Sequence, residues 1–182
     1  MMKATGRAAL LAIVTSFITS CGILAPMDKP ADQKREPEDC SRGTFSFDFE
    51  TSETVQPLGS SKLLFQEMTK ASKNKQPVPL LDITRAAGWS DGWDILVEVG
   101  EHTKQADLNT RAQTPGYCWR NLPESSAMSD RPSDKFYLFT KDNRPVQFIQ
   151  FRPYEQPIQF KKGAAATKET VLLSTGTYLT PE

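Results

Sequence analysis

Phe136-Tyr137-Leu138-Phe139-Thr140-Lys141-Asp142-Asn143-Arg144-Pro145-Val146-Gln147-Phe148-Ile149-Gln150-Phe151 is the stretch that decides the fold. Two apolar runs, residues 136–139 and 146–151, flank the polar segment Lys141-Asp142-Asn143-Arg144-Pro145. Successive side chains of a strand point to opposite faces, and Asp, Asn and Pro are turn formers. The stretch therefore reads as a β-hairpin with aromatic side chains on both faces of the pair. A hairpin brings an antiparallel sheet with it.

Upstream, Thr44-Phe45-Ser46-Phe47-Asp48-Phe49-Glu50 alternates strictly and puts three Phe on one face, so a strand is expected over residues 44–50. Residues 93–99 give a second strand, with Trp93, Ile95, Val97 and Val99 expected on a shared face and Gly100 stopping it. Leu81 and Ile83 suggest a short extended piece. Residues 60–72 carry Leu64, Met68 and Ala71 at helical spacing behind a Ser that can cap a helix, a strand over Leu63-Leu64-Phe65 being the alternative, and Pro77-Val78-Pro79 closes that segment. Thr103 is the expected N-cap of a short helix over residues 104–112, with Leu108 and Ala112 facing inward, and Pro115-Gly116 is a turn. A polar loop runs through Ser133; short strands are expected at 158–160 and 170–174, with 163–167 as a connection. The sum is an α+β fold: a mainly antiparallel sheet of four to six strands, one or two helices on one face, and one disulfide.

The chain has 182 residues and three cysteines, with Lys and Arg balancing Asp and Glu at a formal net charge of zero. No basic tract is dense enough to neutralise a phosphate backbone, so nucleic acid is not an expected partner. Thirteen Pro and ten Gly point to turns and loops rather than to a helical bundle.

The first residues are of a different kind. Lys3 and Arg7 make a basic start, and residues 8–20 then run for thirteen positions without a charge. That is the length of a signal-peptide core and too short to cross a bilayer. The run ends in Ile18-Thr19-Ser20-Cys21-Gly22. This resembles the lipobox of bacterial prolipoproteins, with an aliphatic residue at −3, small residues at −2 and −1, and Cys at +1. Ile18 and Thr19 stand where Leu and Ala are commonest. The resemblance covers residues 1 to about 22 and says nothing about the fold downstream. It implies diacylglyceryl transfer to the Cys21 thiol, cleavage between Ser20 and Cys21, and acylation of the new amine. Two or three acyl chains, at about 0.8 kcal/mol per buried CH₂, hold a protein on a membrane where one chain is marginal. Gly22 in place of Asp implies, under enterobacterial-type sorting, export to the outer membrane.

The expected organisation is therefore a lipoprotein signal peptide (1–20), a lipidated tether (21–39) and a single α+β domain (40–182). Between Asp28 and Asp39 charges alternate around Pro30 and Pro37, a composition that does not bury enough apolar surface to fold alone. As a coil, the 18 residues between Cys21 and Cys40 would span about 23 Å on average and about 60 Å at most. With Cys21 acylated, Cys40 and Cys118 remain, and in an oxidising compartment such a pair usually bridges. Closing that loop is worth about 4 kcal/mol in the chain-entropy model. Two free thiols and a redox pair are the alternatives, and no Cys-x-x-Cys supports the second.

Reactive constellations are sparse. His102 is the one histidine; beside Glu101, or with Asp94, it would serve an envelope hydrolase as general base. A lone His at the end of a strand is more often a surface residue, and no Gly-x-Ser-x-Gly elbow accompanies it. Asp91, Asp94, Asp130 and Asp134 lack the order of a calcium loop. The expectation is thus a non-enzymatic domain with no metal, no cofactor and no catalytic residue. Its partners would be the membrane, through the N-terminal lipid, and a protein or cell-wall component outside the cytoplasm. Trp89-Ser90-Asp91-Gly92-Trp93-Asp94 and Tyr117-Cys118-Trp119 are the most individual segments. Trp89, Trp93 and Trp119 are the candidate partner-binding aromatics, because Tyr and Trp give large contact area at low entropy cost. The competing reading packs Trp93 and Trp119 into the core around the disulfide.

Overall fold

The computed structural model describes residues 40–123 and 134–182. In chain order the elements are β1 (Gly43–Ser46), α1 (Phe49–Thr54), α2 (Ser61–Lys73), β2 (Val78–Pro79), α3 (Leu80–Ala86), β3 (Ile95–Val99), α4 (Gln105–Arg111), β4 (Tyr117–Arg120), β5 (Lys135–Lys141), β6 (Arg144–Phe151), a 3-10 turn (Pro153–Glu155), β7 (Ala165–Thr167), β8 (Val171–Ser174) and β9 (Leu179–Pro181). Cys21, the leader, the tether and Asp130 lie outside the described residues.

The hairpin forms as β5 and β6, with Tyr137 opposite Ile149 and Leu138 opposite Phe148. Its turn is tighter than the five polar residues suggest. Asp142 and Asn143 alone make it, both at positive φ (47° and 59°), the twist that suits a two-residue hairpin. Arg144 and Pro145 already belong to β6. Thr140 faces Pro145 while Phe139 faces Gln147, so Val146 is the extra residue of a bulge. A proline has no N–H for the ladder, and a bulge on an outer strand accommodates it.

Around the hairpin the main sheet runs β6-β5-β3-β7, antiparallel throughout. Residues 163–167, expected as a connection, contain β7, which pairs Ala166 with Leu96. Two smaller sheets complete the α+β fold: the parallel pair β1-β4 and the antiparallel set β2-β8-β9. Residues 158–160 make one bridge, Ile158 to Leu179, rather than a strand.

Both faces of the main sheet are covered. On one, Leu64 and Met68 of α2 and Leu80 and Ile83 of α3 pack over Leu96, Tyr137, Phe139, Ile149 and Phe151. On the other, Leu108 of α4, Ala112, Phe47 and Trp119 pack over Ile95, Val97, Val99, Phe136, Leu138 and Phe148. One or two helices are expected from the sequence on one face; the structure has α2 and α3 on one face and α4 on the other. Each fully buried Leu or Phe contributes about 1.5–3 kcal/mol over its exposed state.

Several local expectations are corrected. The strand expected over 44–50 stops at Ser46, because its partner β4 ends opposite it at Arg120. Phe47 N–H still donates to Arg120 O at 3.1 Å, and Phe49 then begins α1. Leu81 and Ile83 belong to α3, not to an extended piece. Leu80, Ile83, Thr84 and Ala87 are all buried, and that spacing of three and four is helical. Trp93 precedes β3 and packs with Leu96, on the face away from Ile95, Val97 and Val99. Thr103 does not cap α4. Lys104 holds that position, while the Thr103 hydroxyl accepts from Gly100 N–H at 3.1 Å and closes the preceding turn. Ser60 is the cap expected for α2 and accepts from Leu63 N–H.

Candidate functional site

The disulfide joins Cys40 to Cys118, with Cα atoms 5.1 Å apart, inside the range a bridge requires. Parallel pairing of β1 with β4 delivers the two residues to each other: Gly43 lies opposite Tyr117 and Thr44 opposite Cys118. Gly43 N–H returns to Cys40 O at 2.9 Å, and Arg42 N–H donates to Gly116 O at 2.9 Å. The chain therefore enters the domain at a point clamped covalently and by backbone hydrogen bonds.

The three tryptophans form no open platform. Trp89, Trp93 and Trp119 are 4%, 0% and 5% exposed. Trp89 rests on Phe139, with centroids 4.8 Å apart, and its Nε1 donates to Ser60 O at 2.9 Å. Trp93 meets Phe139 edge to face at 5.3 Å. Trp119 lies against Phe47 at 5.8 Å, and its Nε1 donates to Asn109 Oδ1 at 2.8 Å. Trp89 and Trp93 belong to one core and Trp119 to the other, so core packing is the role the structure assigns them. Trp93 Nε1 has no hydrogen-bond partner among the described residues.

His102 stands exposed on the turn after β3, at φ 63°. Asp94 is at the opposite end of β3 and is committed to lysines: Lys141 Nζ lies 2.8 Å from its Oδ1 and Lys168 Nζ 3.7 Å. The structure does not bring His102 and Asp94 together. The hydrogen bond from Lys141 holds the Asp94 carboxyl below its ordinary range. Asp91, on the same loop, is held low by Arg85, whose Nη2 lies 2.7 Å away. Among the described residues no group of three or more His, Cys, Asp or Glu side chains could hold a metal ion. No helix of the described residues is long and apolar enough to cross a membrane.

Among the described residues, two of the surface concavities bear on function. The first, about 380 Å³, lies beside β6, the outer strand of the main sheet, and is lined by Glu53, Lys62, Asp134, Gln150, Arg152 and Glu155 among others. Acidic and basic groups are mixed there. Asp134 accepts from Gln150 Nε2 at 2.5 Å, and Arg152 donates to the phenol of Tyr154 at 2.6 Å. The second, about 560 Å³, is lined by Arg42, Lys141, Asp142, Arg144, Pro145 and Val146. It joins the domain's entry point to the tip of the β5–β6 hairpin and is cationic. Sequence reasoning missed the second, since neither Arg42 nor Arg144 sits in a run of basic residues.

Comparison with known protein families, with curated proteins and with solved structures returns no match to this chain.

Proposed function

We propose that this chain is a cell-envelope lipoprotein, held on a bacterial membrane by acylated Cys21, whose small α+β domain binds an envelope or external partner without performing catalysis. The observation that carries the reading is the segment Ile18-Thr19-Ser20-Cys21 at the end of an uncharged run behind Lys3 and Arg7. The disulfide supports it from a second direction. Cys40 and Cys118 take each other, which leaves the third cysteine of the sequence, Cys21, for acylation. A bridge also suits an oxidising compartment outside the cytoplasm. The clamp at Cys40 suits a domain hung from a spacer, because it secures the entry point against fraying.

Growth with a labelled fatty acid tests the anchor. The expected result is label on the wild-type protein, none on Cys21→Ala, and release of that variant from the membrane fraction. A Cys21→Ala protein that still sediments with membranes, together with an unlabelled wild type, overturns the reading. For the binding role, cross-linking in intact cells followed by purification should recover a partner specific to the folded domain. Recovery of none, from cells in which the anchor is acylated, counts against it.

A further inference from the structure

We infer that the concavity between Arg42 and Arg144 is a docking surface for anionic lipid headgroups of the bilayer that carries the anchor. The inference rests on the lipoprotein reading and adds to it a defined membrane-facing side of the domain. Arg42 lies two residues beyond Cys40, where the tether would enter. Its backbone is fixed by the hydrogen bond to Gly116 O, and its guanidinium sits 5.8 Å from the Tyr117 ring centroid. Its stem passes over Gly116: a Cβ placed on that glycine would come within 3.2 Å of Arg42 Cγ. The side chain is exposed, with its stem against Gly116 and its guanidinium beside the Tyr117 ring, so its head is available to a ligand. Arg144 opens β6 directly after the Asp142–Asn143 turn and is exposed. Among the described residues neither arginine has a carboxylate within ion-pairing distance.

Charge complementarity sets the class of partner. Residues 40–182 hold equal numbers of acidic and basic side chains, so the domain carries no net formal charge and attraction to an anionic surface has to come from a local excess of cations such as this one. Arg42, Arg144 and Lys141 face one lining carboxylate, Asp142, and Lys141 already donates to Asp94. Pro145 and Val146, both half-buried, supply an apolar floor. The concavity is broad and open, which suits headgroups presented on a surface better than a small anion that must be enclosed. Each cation close to an anionic membrane increases residence there about fivefold. Two or three cations do not hold a free domain, but a tether of 18 residues makes the encounter intramolecular. The lipid supplies attachment, and the arginines then choose which face meets the headgroups.

The test uses the mature acylated protein in lipid nanodiscs. Intact mass spectrometry first establishes the acyl chains, and amide hydrogen exchange is then followed in the peptide covering residues 141–146. Exchange should slow at least about fivefold in phosphatidylglycerol discs relative to phosphatidylcholine discs. High salt should abolish the difference, because screening weakens exposed charges. The double variant Arg42→Gln/Arg144→Gln should lose the protection with an unchanged melting temperature, while Lys62→Gln, on the other concavity, should keep it. A protein without acyl mass overturns the anchor and this surface together. An acylated protein with equal exchange in the two lipids, or a double variant that stays protected, overturns the surface alone. So does equal protection from inorganic phosphate in phosphatidylcholine discs, which would mark a soluble anion as the ligand.

Discussion

The phenol of Tyr137 satisfies both backbone polar groups of Ile158: it donates to Ile158 O at 2.5 Å and accepts from Ile158 N–H at 2.9 Å. Both residues are fully buried. One side chain of β5 thereby ties the segment after the 3-10 turn to the main sheet, and Ile158 passes the tie on to Leu179 through its bridge. Gln156 Nε2 also donates to Ile158 O, at 2.8 Å, so only the N–H depends wholly on the phenol.

Tyr137→Phe should therefore strand one buried donor and destabilise the domain by about 2 kcal/mol in chemical denaturation. Burial pushes the phenol well above its ordinary pKa. A group whose pKa is raised on folding stabilises fully below its unfolded value and loses that contribution as pH rises past it. Wild type should accordingly lose stability above about pH 10, and Tyr137→Phe should lose less over the same range.

Reduction of Cys40–Cys118, or Cys40→Ser/Cys118→Ser, should lower stability by about 4 kcal/mol, given a sequence separation of 78. Denaturant midpoints with and without reductant measure it. The double variant should be insensitive to reductant.

Gly59→Ala should be costly for two reasons. The residue has φ +146°, and a Cβ there would sit 2.6 Å from a ring carbon of Trp89. Trp89 packs on Phe139 and donates to Ser60 O, so moving the ring away costs both contacts. A loss of about 2 kcal/mol or more is expected, with a shift in tryptophan fluorescence as the Trp89 pocket opens.

Asp94 should titrate below an ordinary aspartate, chiefly through its hydrogen bond from Lys141, with burial opposing and the N–H of Asp142 assisting. A carboxylate depressed on folding stabilises above its unfolded pKa and loses that contribution as pH falls through its folded one. The ion pair should hold at neutral pH and fail in acid below about pH 4. In carboxyl-carbon NMR, Lys141→Met should move the Asp94 midpoint upward. An unmoved midpoint would remove Lys141 as the cause.

The three tryptophans should resist quenching by iodide in the native state and become accessible on unfolding, since none is more than 5% exposed. Strong native quenching would reinstate an open aromatic surface.

What the sequence determined by itself was local. A hairpin turn within residues 141–145 between apolar runs, the Ser60 cap ahead of Leu64 and Met68, and the inward-facing Leu108 of α4 with Ala112 at its end are all patterns among near neighbours, and each is present in the structure, the turn narrowed to Asp142 and Asn143. The pairing of Cys40 with Cys118 was expected once the lipobox resemblance set Cys21 aside, and the structure contains it. Other features waited for partners distant in the chain. The strand at Phe45 ends where β4 ends, and residues 165–167 become a strand because β3 has an open side to pair; at 80–86 the spacing of three and four was in the sequence, and expecting an extended piece there misread it. The face of Trp93 was decided where the ladder begins, at Ile95, so alternation counted from Trp93 misplaced it. That Arg42 and Arg144 line one concavity left no trace in local sequence. Periodicity and capping act between covalent neighbours and are written in their order. Strand limits, burial and surface charge depend on which segments come together, and that is settled only by the free energy of the whole packed chain.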